Sequence, residues 1–402
     1  MKRQILFVDD EANVLSGLRR MLRGQRKVWD MHFACGSDKA LELLQEQRVD
    51  VIVSDMRMPI MDGAELLTRV SKEHPHTVRL VLSGQSEQEK IFRVIGPAHQ
   101  FLSKPCDPDR LMQTIEQALN LQDHLPNEEL LQLSSQITSL PSLPDVFNEL
   151  VKELQSEDAC IEKVGSIIEN DLAMSAKVLQ LVNSSFFGLP SHVTSPKHAV
   201  SLLGLNVIRP LALDSKGFRK FDGDDQQASQ MDREIQHGLS VANAARRIAQ
   251  TESDQAELHD EAFIAGLLHD IGKLIFSIQQ SSDSPSTPPN YKEWLKQLGD
   301  ATRNPSDTTF DSVGAHLLGL WGLSQSIVEA VALHHRPSDA HDTQFTPLTA
   351  VHVANAWCND TIAAGGAETI SSGQLDHAYL QRLGVTDRLD IWKGAVGLEN
   401  VS

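Results

Sequence analysis

The first 122 residues alternate short β-branched runs with amphipathic stretches, and this alternation restricts the fold more than any other feature of the chain. Extended runs fall at Ile5–Val8, Met31–Ala34, Val51–Ser54, Val78–Leu82 and Phe101–Leu102. Helical spacing follows each of them, near Ala12–Gly24, Asp38–Gln47, Gly63–His74, Gln85–Ile95 and Pro108–Leu121. Parallel strands need a crossover between them, so five such units predict a five-stranded parallel sheet, doubly wound by helices on both faces. From Asp123 the pattern changes. No convincing strand follows, and apolar residues recur at helical spacing in Val146–Leu154, Val164–Ile168, Ser175–Leu181, Val241–Ala249, Glu261–Leu268, Ala315–Leu320 and Ile327–Leu333. An all-α second domain is expected over residues 137–402, joined to an α/β domain over 1–122 by a linker over 123–136. Pro126 argues against one rigid helix through Leu111–Leu133, and Lys220–Gln230 and Ser281–Asn290 read as loops.

Charge separates the two parts further. The first 122 residues hold 17 Lys and Arg against 17 Asp and Glu, so the acidic excess behind the net charge of −18 falls entirely beyond them. Such a surface repels phosphate backbones, which disfavours direct nucleic-acid binding and favours a protein or small-molecule output. No run approaches the roughly 18 apolar residues of a membrane helix, and the opening MKRQILFVDD ends its apolar run in acids, so a cytoplasmic protein without a membrane anchor is expected. Cys35, Cys106, Cys160 and Cys358 are too scattered for a disulfide framework or a zinc knuckle.

In open parallel sheets the working residues collect beyond the carboxyl ends of the strands. Asp9 and Asp10 close the first strand, Asp55 the third, Ser83 the fourth and Lys104 the fifth, with Pro105 next. Asp9 and Asp10 alone could serve a helix N-terminus, but together with Asp55 they place three carboxylates in one crevice. Their mutual repulsion is relieved by a hard cation such as Mg²⁺, which also orients and neutralises an incoming phosphoryl group.

With ILFVDD, VIVSDMRMPIMDG, LVLSG and FLSKP in that order, residues 1–122 resemble a two-component receiver domain. The resemblance implies that Asp55 accepts a phosphoryl group from a sensor histidine kinase. It further implies that Asp9, Asp10, Asp55 and the backbone carbonyl of Arg57 hold Mg²⁺, that Lys104 contacts the phosphoryl oxygens, and that the Ser83 hydroxyl moves toward them. Phe101 matches an aromatic switch position, although a phenylalanine at a strand end also reads as plain core. Pro59 and Gly63 shape the loop after the acceptor.

In the second part, GLLHDIGK sets His269 beside Asp270, with Lys273 one turn on. Imidazole and carboxylate together suit Mn²⁺, Fe, Ni²⁺ or Zn²⁺, and His237 and the pair His334–His335 stand ready on separate helices. These spacings resemble the HD superfamily of metal-dependent phosphohydrolases. A closer resemblance, from Ile137 through Ala356, is to the HDOD domain, a regulatory relative that often lacks catalytic ligands. Its carriers are NDLAMSAKVLQLVNSSFFG, AVSLLG, LLHDIGK and VGAHLLGLWGL followed by AVALHH. Asn355 stands where hydrolytic relatives close the site with aspartate, Phe310 stands at a histidine position of the dinuclear relatives, and His316 is off that position. The segment after His335 lacks a GYP signature, which disfavours a cyclic-dinucleotide phosphodiesterase of that subclass.

A transition-metal site on His237, His269, Asp270, His334, His335 and Asn355 therefore competes with a buried hydrogen-bonded cluster, and Lys273 with a plain acid-pairing role. The stripe Ala176, Leu179, Leu181, Val182, Phe186 and Phe187 reads as core, with Asn183 and Ser184 capping or bending its helix. The expected function is a bacterial response regulator signalling through a non-catalytic HDOD output by contact with a downstream protein or a second copy of itself. The rival is a phosphorylation-gated phosphohydrolase acting on a phosphate ester or cyclic nucleotide.

Overall fold

Strands β1 (Arg3–Asp9), β2 (Trp29–Cys35), β3 (Val51–Asp55), β4 (Val78–Gly84) and β5 (Gln100–Lys104) pair in the order β2-β1-β3-β4-β5, every pair parallel. The computed structural model describes residues 2–84, 97–123, 137, 140–184, 187, 189, 192–213, 218–221, 225–275, 308–363 and 375–397. Around the sheet lie α1 (Ala12–Met21), α2 (Ser37–Glu46), α3 (Gly63–Glu73) and α4 (Pro108–Asp123). Strand alternation sorts the apolar side chains onto two faces. Leu6, Val8, Ile52, Val81 and Phe101 share a core with residues of α2 and α3. Ile5, Phe7, Val51, Val53, Leu80, Leu82 and Leu102 share another with α1 and α4. Helix α1 is shorter than its sequence suggests, because the chain passes at Leu22 into a 3₁₀ turn, Leu22–Lys27, that buries only Leu22. The helix expected near Gln85–Ile95 lies outside the described residues, as do 124–136 and Ser281–Asn290.

The second part comprises α5 (Pro144–Gln155), α6 (Ile161–Glu169), α7 (Leu172–Val182), α8 (Pro196–Leu203), α9 (Leu205–Leu213), α10 (Asp225–Glu252), α11 (Ala256–Leu268), α12 (Thr308–Leu320), α13 (Gln325–Leu333), α14 (Pro347–Ala363), α15 (His377–Leu383) and α16 (Leu389–Val396). Two expectations are corrected. A small parallel pair, β6 (Pro141–Ser142) and β7 (Arg219–Lys220), is present; two residues are too few to leave an alternating signature. The loop expected at Lys220–Gln230 is helical from Asp225, because the opening run DQQASQ is polar apart from Ala228 and so carries no apolar stripe in the sequence.

Three local devices shape this domain. Helix α7 is buried on every side, and its N-cap Asp171 accepts from Met174 N and from Ser142 Oγ of β6. Asn183 ends it and clasps both backbone groups of Val193, the expected capping role. Helices α10 and α11 approach so closely that a Cβ on Gly266 would lie 2.7 Å from Ala242 Cα, and it is this approach that brings His237 beside His269.

The two parts touch. Leu320, the last residue of α12, is fully buried in the sheet core shared with α1 and α4. His316 Nδ1 donates to the Leu121 carbonyl at 3.1 Å, and Gln180 Nε2 donates to the His99 carbonyl at 2.9 Å. On the other face, Phe101 and Ala98 belong to a buried cluster continuous with the core of the helical domain.

Candidate functional site

Donor oxygens of Asp9, Asp10 and Asp55 lie within 4.8 Å of one another at the carboxyl ends of β1 and β3. Asp9 and Asp55 are buried, whereas Asp10 faces solvent. Lys104, the last residue of β5, sets its Nζ 2.8 Å from Asp9 Oδ2 and 2.5 Å from Asp55 Oδ1. Backbone amides hold the outer oxygens: Glu11 N donates to Asp9 Oδ1 at 2.9 Å and Arg57 N to Asp55 Oδ2 at 3.0 Å. Burial raises the Asp55 pKa, and the charge of Asp9 adds to the rise, against the pull of Lys104. Burial works to lower Lys104, but its bonds to the two carboxylates outweigh that and leave its ammonium pKa raised.

Three oxygen donors clustered at one edge of a crevice fit a hard divalent cation. Beside them opens a cavity of about 410 Å³ lined by Asp10, Met56, Arg57, Met58, Pro59 and Asp62. Gly63 is required there, because a Cβ would fall 2.1 Å from the Asp55 carbonyl oxygen. Ile60, in the same loop, is 93% exposed and holds a positive φ of 73°, which β-branched residues rarely adopt. Ser83 is buried near the end of β4, level with Ser103, and Phe101 is buried in the core three residues before Lys104. All five strand-end residues read from the sequence thus gather at one end of the sheet.

A second constellation sits where α10, α12, α13 and α14 meet the segment after α11. His237 Nε2 lies 3.1 Å from Asn355 Oδ1 and 3.9 Å from Asp270 Oδ2. His269 Nε2 and Lys273 Nζ approach the same Oδ2 at 3.3 and 2.7 Å. His334 Nε2 lies 3.8 Å from Asp270 Oδ1, and His335 Nδ1 lies 3.0 Å from Asp311 Oδ2. The plain acid-pairing role of Lys273 is present, as a salt bridge to Asp270. Burial disfavours the charge on Asp270, yet His269, Lys273 and His334 hold its carboxyl well below the usual range. Burial lowers the His237 imidazole to about 4, so it is neutral near pH 7. Asp311 is the member missed by sequence reading, which examined Phe310 and His316 on the same helix. His316 instead joins the contact with α4.

A doubly wound sheet with three acids and a lysine at its strand ends has the architecture of a receiver domain, and the histidine-rich helical part is HD-like. The chain matches the response regulator receiver domain family over residues 5–116 and the HDOD domain family over residues 140–337, and it belongs to the two-component response regulators that join these two domains. The hydrogenase transcriptional regulatory protein HoxA of Cupriavidus necator is 32% identical over 43% of this chain and 36% of that protein. An uncharacterized protein of Treponema pallidum is 23% identical over 69% of this chain and 51% of that protein, so the chain spans about half or less of these relatives. Among solved structures, a signal receiver domain of an HD domain-containing protein from Pseudomonas fluorescens is 34% identical. It covers 31% of this chain and 98% of that one, with a TM-score of 0.29. Among the described residues no helix is long and apolar enough to cross a membrane, and all four cysteines are free.

Proposed function

We propose that Asp55 accepts a phosphoryl group from a sensor histidine kinase and that the change is relayed through β5 to the HDOD domain, which acts by protein contact. The observation that carries this reading is the placement of Lys104: one ammonium binds both Asp55 and Asp9, and it ends the strand that carries Phe101 and follows His99. Asp9, Asp10 and Asp55, with the Arg57 carbonyl, would hold Mg²⁺, which supplies charge neutralisation for the transferred group. The side chains do the rest. Asp55 Oδ1 is the oxygen that Lys104 now contacts, so phosphorylation there draws the ammonium toward the new phosphoryl oxygens and away from Asp9. Ser83 closes on the same group, and β5 shifts with its last residue.

The response reaches the helical domain because β5 is already in contact with it. Gln180 of α7 binds the His99 carbonyl just before β5, and Leu320 occupies the core that includes Leu102. A kinase docks over the loop carrying Pro59 and Ile60. The acidic excess of the second domain supports a protein partner, or a second copy, over nucleic acid. The test is labelling with a small phosphodonor in Mg²⁺: the wild type takes up one phosphoryl group and Asp55→Asn takes up none. Undiminished labelling of Asp55→Asn would place the acceptor elsewhere.

A further inference from the structure

Between Ala12 and Trp29 the chain carries five bases, Arg19, Arg20, Arg23, Arg26 and Lys27, and no acid, although the receiver as a whole is balanced. All five are exposed. The dipole of α1 accounts for Arg19 and Arg20, the bases of its last turn, but fades beyond that turn. Arg23 and Arg26 belong to the 3₁₀ turn Leu22–Lys27, where side chains three residues apart lie one above the other. Lys2 adds another ammonium, held 2.6 Å from the Arg26 carbonyl. Among the described residues, Arg20, Arg23, Arg26 and Lys27 form no ion pair and no side-chain hydrogen bond. Met21 and Val28, 38% and 55% exposed, stand in the same stretch. Arginine and methionine are enriched at protein interfaces and lysine is depleted there, so four arginines, a methionine and a single lysine read as a contact surface.

The place of this face in the fold decides what covers it. The 3₁₀ turn packs on β2, and β2 and β5 are the two edges of the sheet. The helical domain meets the receiver at the β5 edge, through Gln180 and the cluster that contains Phe101. Four strand spacings, roughly 19 Å, separate the edges, more than twice the screening length of about 8 Å at physiological salt. The basic face is therefore turned away from the domain of its own chain that holds the whole acidic excess. We infer that it docks the acidic helical domain of a second copy, head to tail, onto α5 and the turn that follows it. There Asp145, Glu149, Glu157, Asp158 and Glu162 are exposed beside Lys152 and Lys163, and Lys163 is already paired with Glu153. Two basic faces repel each other, which excludes a symmetric pairing through this patch. Each molecule uses one face of each sign, so the contact is heterologous and extends into chains or closes into a ring. Exposed ion pairs are individually weak, so the association is weak and salt-sensitive, and it needs no phosphoryl group on Asp55.

The test is sedimentation velocity of the full chain and of two charge-neutralised variants: Arg20→Gln, Arg23→Gln and Arg26→Gln together on the basic face, and Glu149→Gln, Glu157→Gln and Asp158→Asn together on the acidic one. All six positions are exposed, and circular dichroism and melting establish that both variants are folded. The wild type self-associates, with an affinity that falls at least about tenfold between about 50 and 500 mM NaCl. Each variant alone sediments as a monomer. An equimolar mixture of the two forms a dimer and nothing larger, because it unites one intact basic face with one intact acidic face. A mixture that stays monomeric overturns the inference, as does self-association of the basic-face variant at the wild-type level. So does a wild type that stays monomeric at low salt, whether or not its basic face instead binds duplex DNA or phosphatidylglycerol vesicles.

Discussion

Removing the Lys104 ammonium leaves two buried carboxylates, Asp9 and Asp55, facing each other without a counter-ion. Lys104→Met should therefore destabilise the metal-free receiver by about 1–3 kcal/mol, less than a fully buried pair because the lysine is partly exposed. Mg²⁺ should restore most of that loss, so the Mg²⁺-induced rise in melting temperature is larger in the variant than in the wild type. Equal rises would mean that Lys104 does not share the cation's task. Gly63→Ala tests the backbone beside the proposed acceptor Asp55: its Cβ meets the Asp55 carbonyl, which should cost about 1–3 kcal/mol and slow labelling by a small phosphodonor although every acid is intact. Asp9, Asp10, Asp55, Ser83 and Lys104 were legible in the sequence because parallel strands deliver their last residues to one edge. Asp311 was not, because helices project side chains every 100° and a one-residue difference from Phe310 decides which of them reaches His334.

Among the elements, α7 shows why burial must be judged on a whole helix. All eleven of its residues are buried, Lys177 among them, so it has no polar face for periodicity to reveal. Lys177 sits 5.7 Å from the ring centre of Trp321, and burial pushes its ammonium down to about 7. Between that value and the ordinary 10.5, the unfolded chain holds a proton that the folded chain has released, so this group makes stability rise with pH across the window. Lys177→Met should stabilise the protein by about 1–4 kcal/mol near pH 7, with the gain shrinking toward about pH 10, as measured by urea denaturation of both proteins. A gain independent of pH would assign the effect to packing alone. The five strands and most helices could be placed from the sequence because their apolar residues repeat at a period of 2 or 3.6. The start of α10 and the pair β6–β7 could not, since polar first turns and two-residue strands carry no period.

At the scale of the whole molecule, the receiver and the HDOD domain share apolar surface where α12 lies against α4. A Cβ on Gly319 would come within 2.7 Å of the Leu121 side chain, so Gly319→Glu both crowds this contact and buries a charge in it. Small-angle scattering should show an increased radius of gyration for that variant with the helical content unchanged; an unchanged radius would mean that the contact does not hold the domains together. The two-domain division was legible from the loss of strand pattern and the change in charge balance near residue 122, but the contact between them was not, because it rests on the Leu121 and His99 backbone carbonyls, on Gly319 and on scattered apolar side chains such as Leu320 and Phe101, none of which forms a motif. The relay proposed here carries phosphorylation of Asp55 through β5 to the helical domain. Hydrogen exchange of the full chain with and without a small phosphodonor in Mg²⁺ tests it most directly. Altered amide protection is expected in Gln100–Lys104, Leu172–Val182 and Thr308–Leu320 for the wild type and none for Asp55→Asn; unchanged protection in the two helices of a fully labelled wild type would contradict the relay.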